Sequence, residues 1–409
     1  MTESAPQEID SICSESASRR SGWISLLVLA FVLCSGWLAI QSREQSFPDG
    51  VTEAQTEQAR RLFVNRFGID PDHADILAML GEQLRDGGEL DLAAECYAAI
   101  PDSHPRFGPH AQLQLGIILA ENHRAAAAEA ELRSWLQKTA ISRHSSIEDQ
   151  VSARQWLSYL LSVQLRLEER QDILAQSQAD GLASLNDSKQ FYFPHLLLYR
   201  TARGAARLRQ YLDRDPQNLQ LRVAHARYLT GEGQLAAAEQ LLRRLDEQSP
   251  NNRAVTAALL ECLYEQDNWK QFSEVVSTAP SYQDGEPWLL TEMRGRFALH
   301  EGRWDDARHA FQSVLATEPA HSACQMGLVT ALRNLDDETT LAAAEQRTLV
   351  LARIRVELPR TRSGKANELL VLADLCTEAG LSEAAERFRR HAQQSDQNSP
   401  GMQPALEAE

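Results

Sequence analysis

The side chains able to do chemistry in this chain are scattered. Asp70-Pro71-Asp72-His73-Ala74-Asp75 gathers three carboxylates and an imidazole, the donor types that hold divalent cations. Its proline marks a helix junction, however, and acids there favour the N-terminus of the next helix. His300 and His309 stand nine residues apart and read as helix-surface histidines. The six cysteines (Cys13, Cys34, Cys96, Cys262, Cys324, Cys376) form no Cys-x-x-Cys pair, and no Cys/His cluster has zinc-ligand spacing. Buried free thiols are therefore expected rather than a disulfide framework. No Gly-x-Ser-x-Gly elbow, phosphate-binding Gly-rich loop with Lys-Ser/Thr, or His-Glu-x-x-His helix is present. The reading is of a non-enzyme with no catalytic residues, no metal and no cofactor.

Charge narrows the partners. Lys+Arg number 41 against 57 Asp+Glu, a net charge of −16, within 409 residues. Phosphate binding needs a basic face, so nucleic acid is not an expected partner.

The elements that would position any site are set by a period. Pro71 to Pro105 is 34 residues, Pro216 to Pro250 is again 34, and Pro250 to Pro319 is 69. The residues between keep register. Leu77, Leu80-Gly81, Leu84, Gly88, Ala93 and Tyr97 precede Pro105. Ala226, Leu229, Gly233, Ala238, Leu242 and Leu245 precede Pro250. Gly295, Ala298, Gly302, Trp304, Ala307 and Phe311 precede Pro319. Small residues at 81, 116, 226 and 295 let one helix approach the next at the short end of the usual ~8–10 Å separation. Ala93, Ala128, Ala238, Ala307 and Ala385 do the same from the second helix. Glycines at 88, 233, 302 and 380 fall where the first helix must end, and proline stops the second.

This set resembles the tetratricopeptide repeat. The resemblance implies an all-α, right-handed superhelical solenoid of antiparallel helix pairs, about nine units counting partial ends. It also implies a concave groove, lined by the first helix of each unit, that binds a protein or peptide. Carried over by register, the groove would show Glu82, Asp86, Ile117, Arg227, Glu292, Arg296, His300 and Asp374. The Lys-and-Asn carboxylate clamp of chaperone-binding relatives is missing from these positions. Arg227 and Arg296 are expected to meet an acidic segment of the partner.

Outside the repeats, residues 1–20 are a polar tail, and 21–42 run without a charge for 22 residues. As a helix of roughly 33 Å that run would span a bilayer core. Residues 43–51 read as a linker, 52–395 as the repeat domain and 396–409 as a disordered tail. Weak repeat matches leave Ser177 to Gln190 as a longer connection. Arg19 and Arg20 before the apolar run place the N-terminus inside. The expectation is a single-pass bacterial inner-membrane protein with its repeats periplasmic; the alternative faces the cytoplasm. Function is then that of a membrane-anchored adaptor, possible settings being envelope assembly or secretion. The competing readings are a self-assembling homo-oligomer and a regulatory subunit of an enzyme complex.

Overall fold

A computed structural model describes residues 74–141, 146–196, 201–283 and 285–398. The helices α1 (Ala74–Asp86), α2 (Leu90–Ala98), α3 (Gly108–Glu121), α4 (Ala125–Ile141), α5 (Ile147–Val163) and α6 (Leu167–Ala179) come first. Then follow α7 (Leu185–Tyr192), α8 (Ala202–Arg214), α9 (Leu219–Gly231), α10 (Leu235–Gln248), α11 (Arg253–Glu265) and α12 (Trp269–Thr278). The chain continues with α13 (Trp288–His300), α14 (Trp304–Thr317), α15 (Ser322–Asn334) and α16 (Glu338–Glu357). A 3-10 turn at Leu358–Ser363, α17 (Ala366–Glu378) and α18 (Ser382–Asn398) complete it.

Among the described residues, eight helix pairs share one turn. Each turn is three residues long with a left-handed residue at its centre: Gly88, His123, Leu165, Gly233, Asp267, Gly302, Asp336 and Gly380. The residue after it donates its N–H back to the last turn of the first helix, as in Glu89 to Leu84, Arg166 to Leu161 and Arg303 to Ala298 (2.8–2.9 Å). That bond satisfies a carbonyl the helix would leave orphaned and fixes the reversal. The four glycines expected at this position are there. The other four pairs use His, Leu or Asp in the same conformation, so their turns carry no glycine signal in the sequence. After Pro216 and Pro250, Asn218 and Asn252 cap the next helix through their side-chain oxygens.

Packing follows the small-against-large scheme. A methyl group on Gly81 would lie 2.7 Å from Tyr97, and one on Gly295 would lie 2.8 Å from Phe311. Ala93, Ala128, Ala238 and Ala307 are fully buried. Apolar side chains thus pass from one pair to the next as consecutive clusters.

One segment leaves this stack. The stretch expected to be a connection, Ser177 to Gln190, contains α7, which starts with a capping box between Ser184 and Asp187. From α6 through Leu196 the chain forms an arm that reaches the last helices. Phe193 stacks on Phe388 with ring centroids 5.9 Å apart, Lys189 Nζ donates to the Thr361 carbonyl at 2.8 Å, and Ser188 Oγ meets His391 at 3.0 Å. α8 then rejoins the stack, where Tyr211 donates to the Ala120 carbonyl at 2.9 Å.

The expected single-pass localisation requires correction. None of the described helices is long and apolar enough to cross a membrane: all but α16 have 17 residues or fewer, and α16 carries Glu345, Arg347, Arg353 and Arg355 along its length. The 21–42 run lies outside the described residues, as do the 1–20 tail, the 43–51 linker, the first part of the repeat domain (52–73) with the Asp70–His73 acids and imidazole, and residues 399–409.

Candidate functional site: a groove under the third turn

A groove of about 390 Å³ opens on the first helices of four pairs. Its floor is α9 (Val223, Arg227), α11 (Ala257, Glu261, Tyr264) and α13 (Trp288, Glu292, Arg296), with His321 and Ser322 at the start of α15. Its other wall is the turn between α5 and α6, residues 164–169, together with His195 of the arm. The wall is held there by long-range bonds. The Trp288 N–H, first in α13, donates to Glu168 Oε1 at 2.5 Å, so a carboxylate from α6 caps a helix 120 residues away. Gln171 donates to Glu318 Oε1 at 3.1 Å. The volume is in the range of sites that hold a small ligand or a few peptide residues.

Of the eight residues placed in a groove by register, three converge here: Arg227, Glu292 and Arg296. Both guanidiniums are engaged. Arg227 donates to Glu261 at 2.8 Å. Arg296 donates to Glu292 at 2.7 Å and to the Tyr264 hydroxyl, lying 4.3 Å over that ring. Ile117 is corrected: it is a core residue, 4% exposed, because its helix turns that face onto the neighbouring pair. Glu82 and Asp86 are exposed on α1, His300 stacks on Trp269 at 3.9 Å, and Asp374 pairs with Arg389 at 3.2 Å; none of these lines the cavity.

The sequence reading missed Glu168, Glu261, Tyr264 and His195. A signal for Glu261 exists, since it lies one 34-residue period after Arg227. Arg85 with Glu121 and Arg133 with Glu169 are likewise about one unit apart.

The groove is acidic. Glu168, Glu169, Glu261, Glu265 and Glu292 meet Arg166, Arg227 and Arg296. Burial pushes the Glu168 carboxyl up to about 7, against the opposing Trp288 N–H and Arg227. Burial holds His195 well below the usual histidine range, with His321 and nearby arginines adding to it. Burial also lowers His321, although Glu292 opposes. Both imidazoles are neutral at pH 7.

Glu292, His321 and Cys324 put one donor atom each within 4.8 Å of one another, a set that zinc accepts in principle. The hydrogen bonding does not fit a metal. His321 Nδ1 accepts the Cys324 N–H at 3.3 Å as the cap of α15, which leaves the ring proton on Nε2, 3.5 Å from Glu292. Ligation through Nε2 would move that proton to Nδ1 and set two donors against each other. Arg296 already occupies Glu292, and burial drives the Cys324 thiol far up. The trio braces α13 against α15.

Residues 229–290 match the family model of the tetratricopeptide repeat. That span runs from the end of α9 into the start of α13 and includes α11 of the groove floor. No curated protein matches the chain. Among solved structures it is similar to a tetratricopeptide repeat protein from Parabacteroides merdae, 13% identical, over 63% of this chain and 98% of that one, with a TM-score of 0.31. It is also similar to the human IFIT1 dimer with PPP-AAAA (11% identical; 85% and 95% covered; TM-score 0.34). Yeast Tom70 is a third (10%; 81% and 77%; 0.25). The architecture is an all-α helical repeat solenoid like that of tetratricopeptide repeat proteins.

Proposed function

We propose that this chain is a scaffold that binds a protein partner through the groove between α9, α11, α13 and the α5–α6 turn, and that it is not an enzyme. The observation that carries the reading is the groove itself: repeat helices supply its floor, while a wall braced by bonds spanning 120 and 147 residues keeps it open. Its guanidiniums are already held by carboxylates, Arg227 by Glu261 and Arg296 by Glu292, which suits recognition more than proton transfer. Preorganised walls reduce the ordering cost of binding.

A photo-crosslinking amino acid tests this. Placed at Ala254, which lines the groove, it yields discrete adducts with a partner from the native host. Placed at Arg244, exposed on α10, it does not. Equal labelling from both positions would defeat the reading, and adducts only with a second copy of the chain would assign the groove to self-assembly.

A further inference from the structure

We infer that the groove receives a basic peptide segment, one arginine or lysine of which enters beside Glu168. The inference rests on the scaffold reading and names the chemistry of its partner. Three observations point the same way. Five carboxylates line the cavity against three guanidiniums, and among the described residues Glu168 and Glu265 are the two that form no ion pair. His195 lines the same cavity and its Nε2 has no hydrogen-bond partner; with the ring proton on Nδ1, that nitrogen is an acceptor suited to an ammonium or guanidinium. Between these polar points the walls are aliphatic, with Leu165, Leu289 and Met293, and the stem of a long cationic side chain packs on such surface while its head stays polar.

The sign is opposite to that expected from the sequence, where Arg227 and Arg296 were to meet an acidic segment. Their charges are already answered by Glu261 and Glu292, so an acidic ligand would face the surplus carboxylates. A peptide is favoured over a small free cation because the whole chain carries −16. A field of that sign raises the encounter rate most for a partner with several positive charges.

The test is fluorescence anisotropy with the full chain and short labelled peptides matched in length and carrying arginine, glutamate or neutral residues, with free arginine as competitor. The arginine peptide should bind, and more weakly as salt is raised. Glu168→Gln, which keeps the acceptor for Trp288, should weaken it roughly tenfold, as loss of a charge-assisted bond does. Exposed Glu265→Gln should weaken it less and is a second variant that does not bear on folding. Tighter binding of the glutamate or neutral peptide would overturn the charge assignment while leaving the scaffold reading intact. Binding of none would remove both. Free arginine competing at the same concentration as the peptide would assign the site to a small cation and overturn the peptide.

Discussion

Glu318 shows how a single side chain can be tuned by a contact the repeat pattern does not contain. It directly precedes the proline that ends α14, a position that is ordinarily solvated, yet it is 6% exposed because the start of α6 covers it. Burial raises its carboxyl to about 8, against the opposing Gln171 bond and Arg170 charge. A carboxyl whose folded value lies above its unfolded one binds its proton more tightly in the native state. Stability from this group therefore falls as pH rises from about 4.5 through about 8. Glu168, raised to about 7, adds a change of the same sign over a narrower window. Glu318→Gln keeps an acceptor for Gln171 and removes the titration. Its melting temperature is expected to match the wild type at pH 5 and to exceed it at pH 8.5, by the equivalent of about 1 kcal/mol or more. Equal melting curves at both values would mean that water reaches the carboxyl.

At the scale of elements, the repeated unit is the helix pair with its left-handed turn. Glycine takes that conformation freely, while other residues occupy it at a cost. Asp336 is exposed, has φ 53° and makes the same reversal as Gly302 one unit earlier. Asp336→Gly is expected to stabilise the protein by up to about 1 kcal/mol, seen as a higher urea midpoint. Gly302→Asp should lower it by a similar amount. Opposite signs would show that the side chain of Asp336 contributes more than its backbone costs. Leu165 is the exception that matters, since its turn forms the groove wall and its carbonyl faces Arg227 at 3.4 Å.

For the whole molecule, the arm alters what a solenoid usually is. In a linear array each unit touches only its neighbours, and the ends fray independently. Here Phe193 and Leu196 belong to the same core cluster as α17 and α18, although the arm springs from the third pair. The last pair is thereby tied to the first half of the array. Wild-type urea unfolding, followed by far-UV circular dichroism and by tryptophan fluorescence, is expected to be a single coincident transition. Phe193→Ala empties the stack on Phe388 at a cost of about 3–5 kcal/mol, and the two probes should then separate. Coincident probes in the variant would show that the arm does not couple the halves.

The period of 34 residues, the small positions at 81, 116, 226 and 295, and the glycines at four turns determined the helix pairs and their packing. They did so because the physics behind them is local: a left-handed turn, a close helix approach and a proline stop each act within one unit. The turns at His123, Leu165, Asp267 and Asp336 were not legible, because those residue types say little about a positive φ. The Arg227–Glu261 pair was within reach by comparing stripes across units rather than along each helix. What the tertiary structure alone decided was the path of the arm, and with it the groove and the buried carboxyls at 168 and 318; the packing of pair on pair separately buried Ile117. Contacts spanning 120 to 204 residues depend on the accumulated curvature of the stack. No single unit encodes that sum.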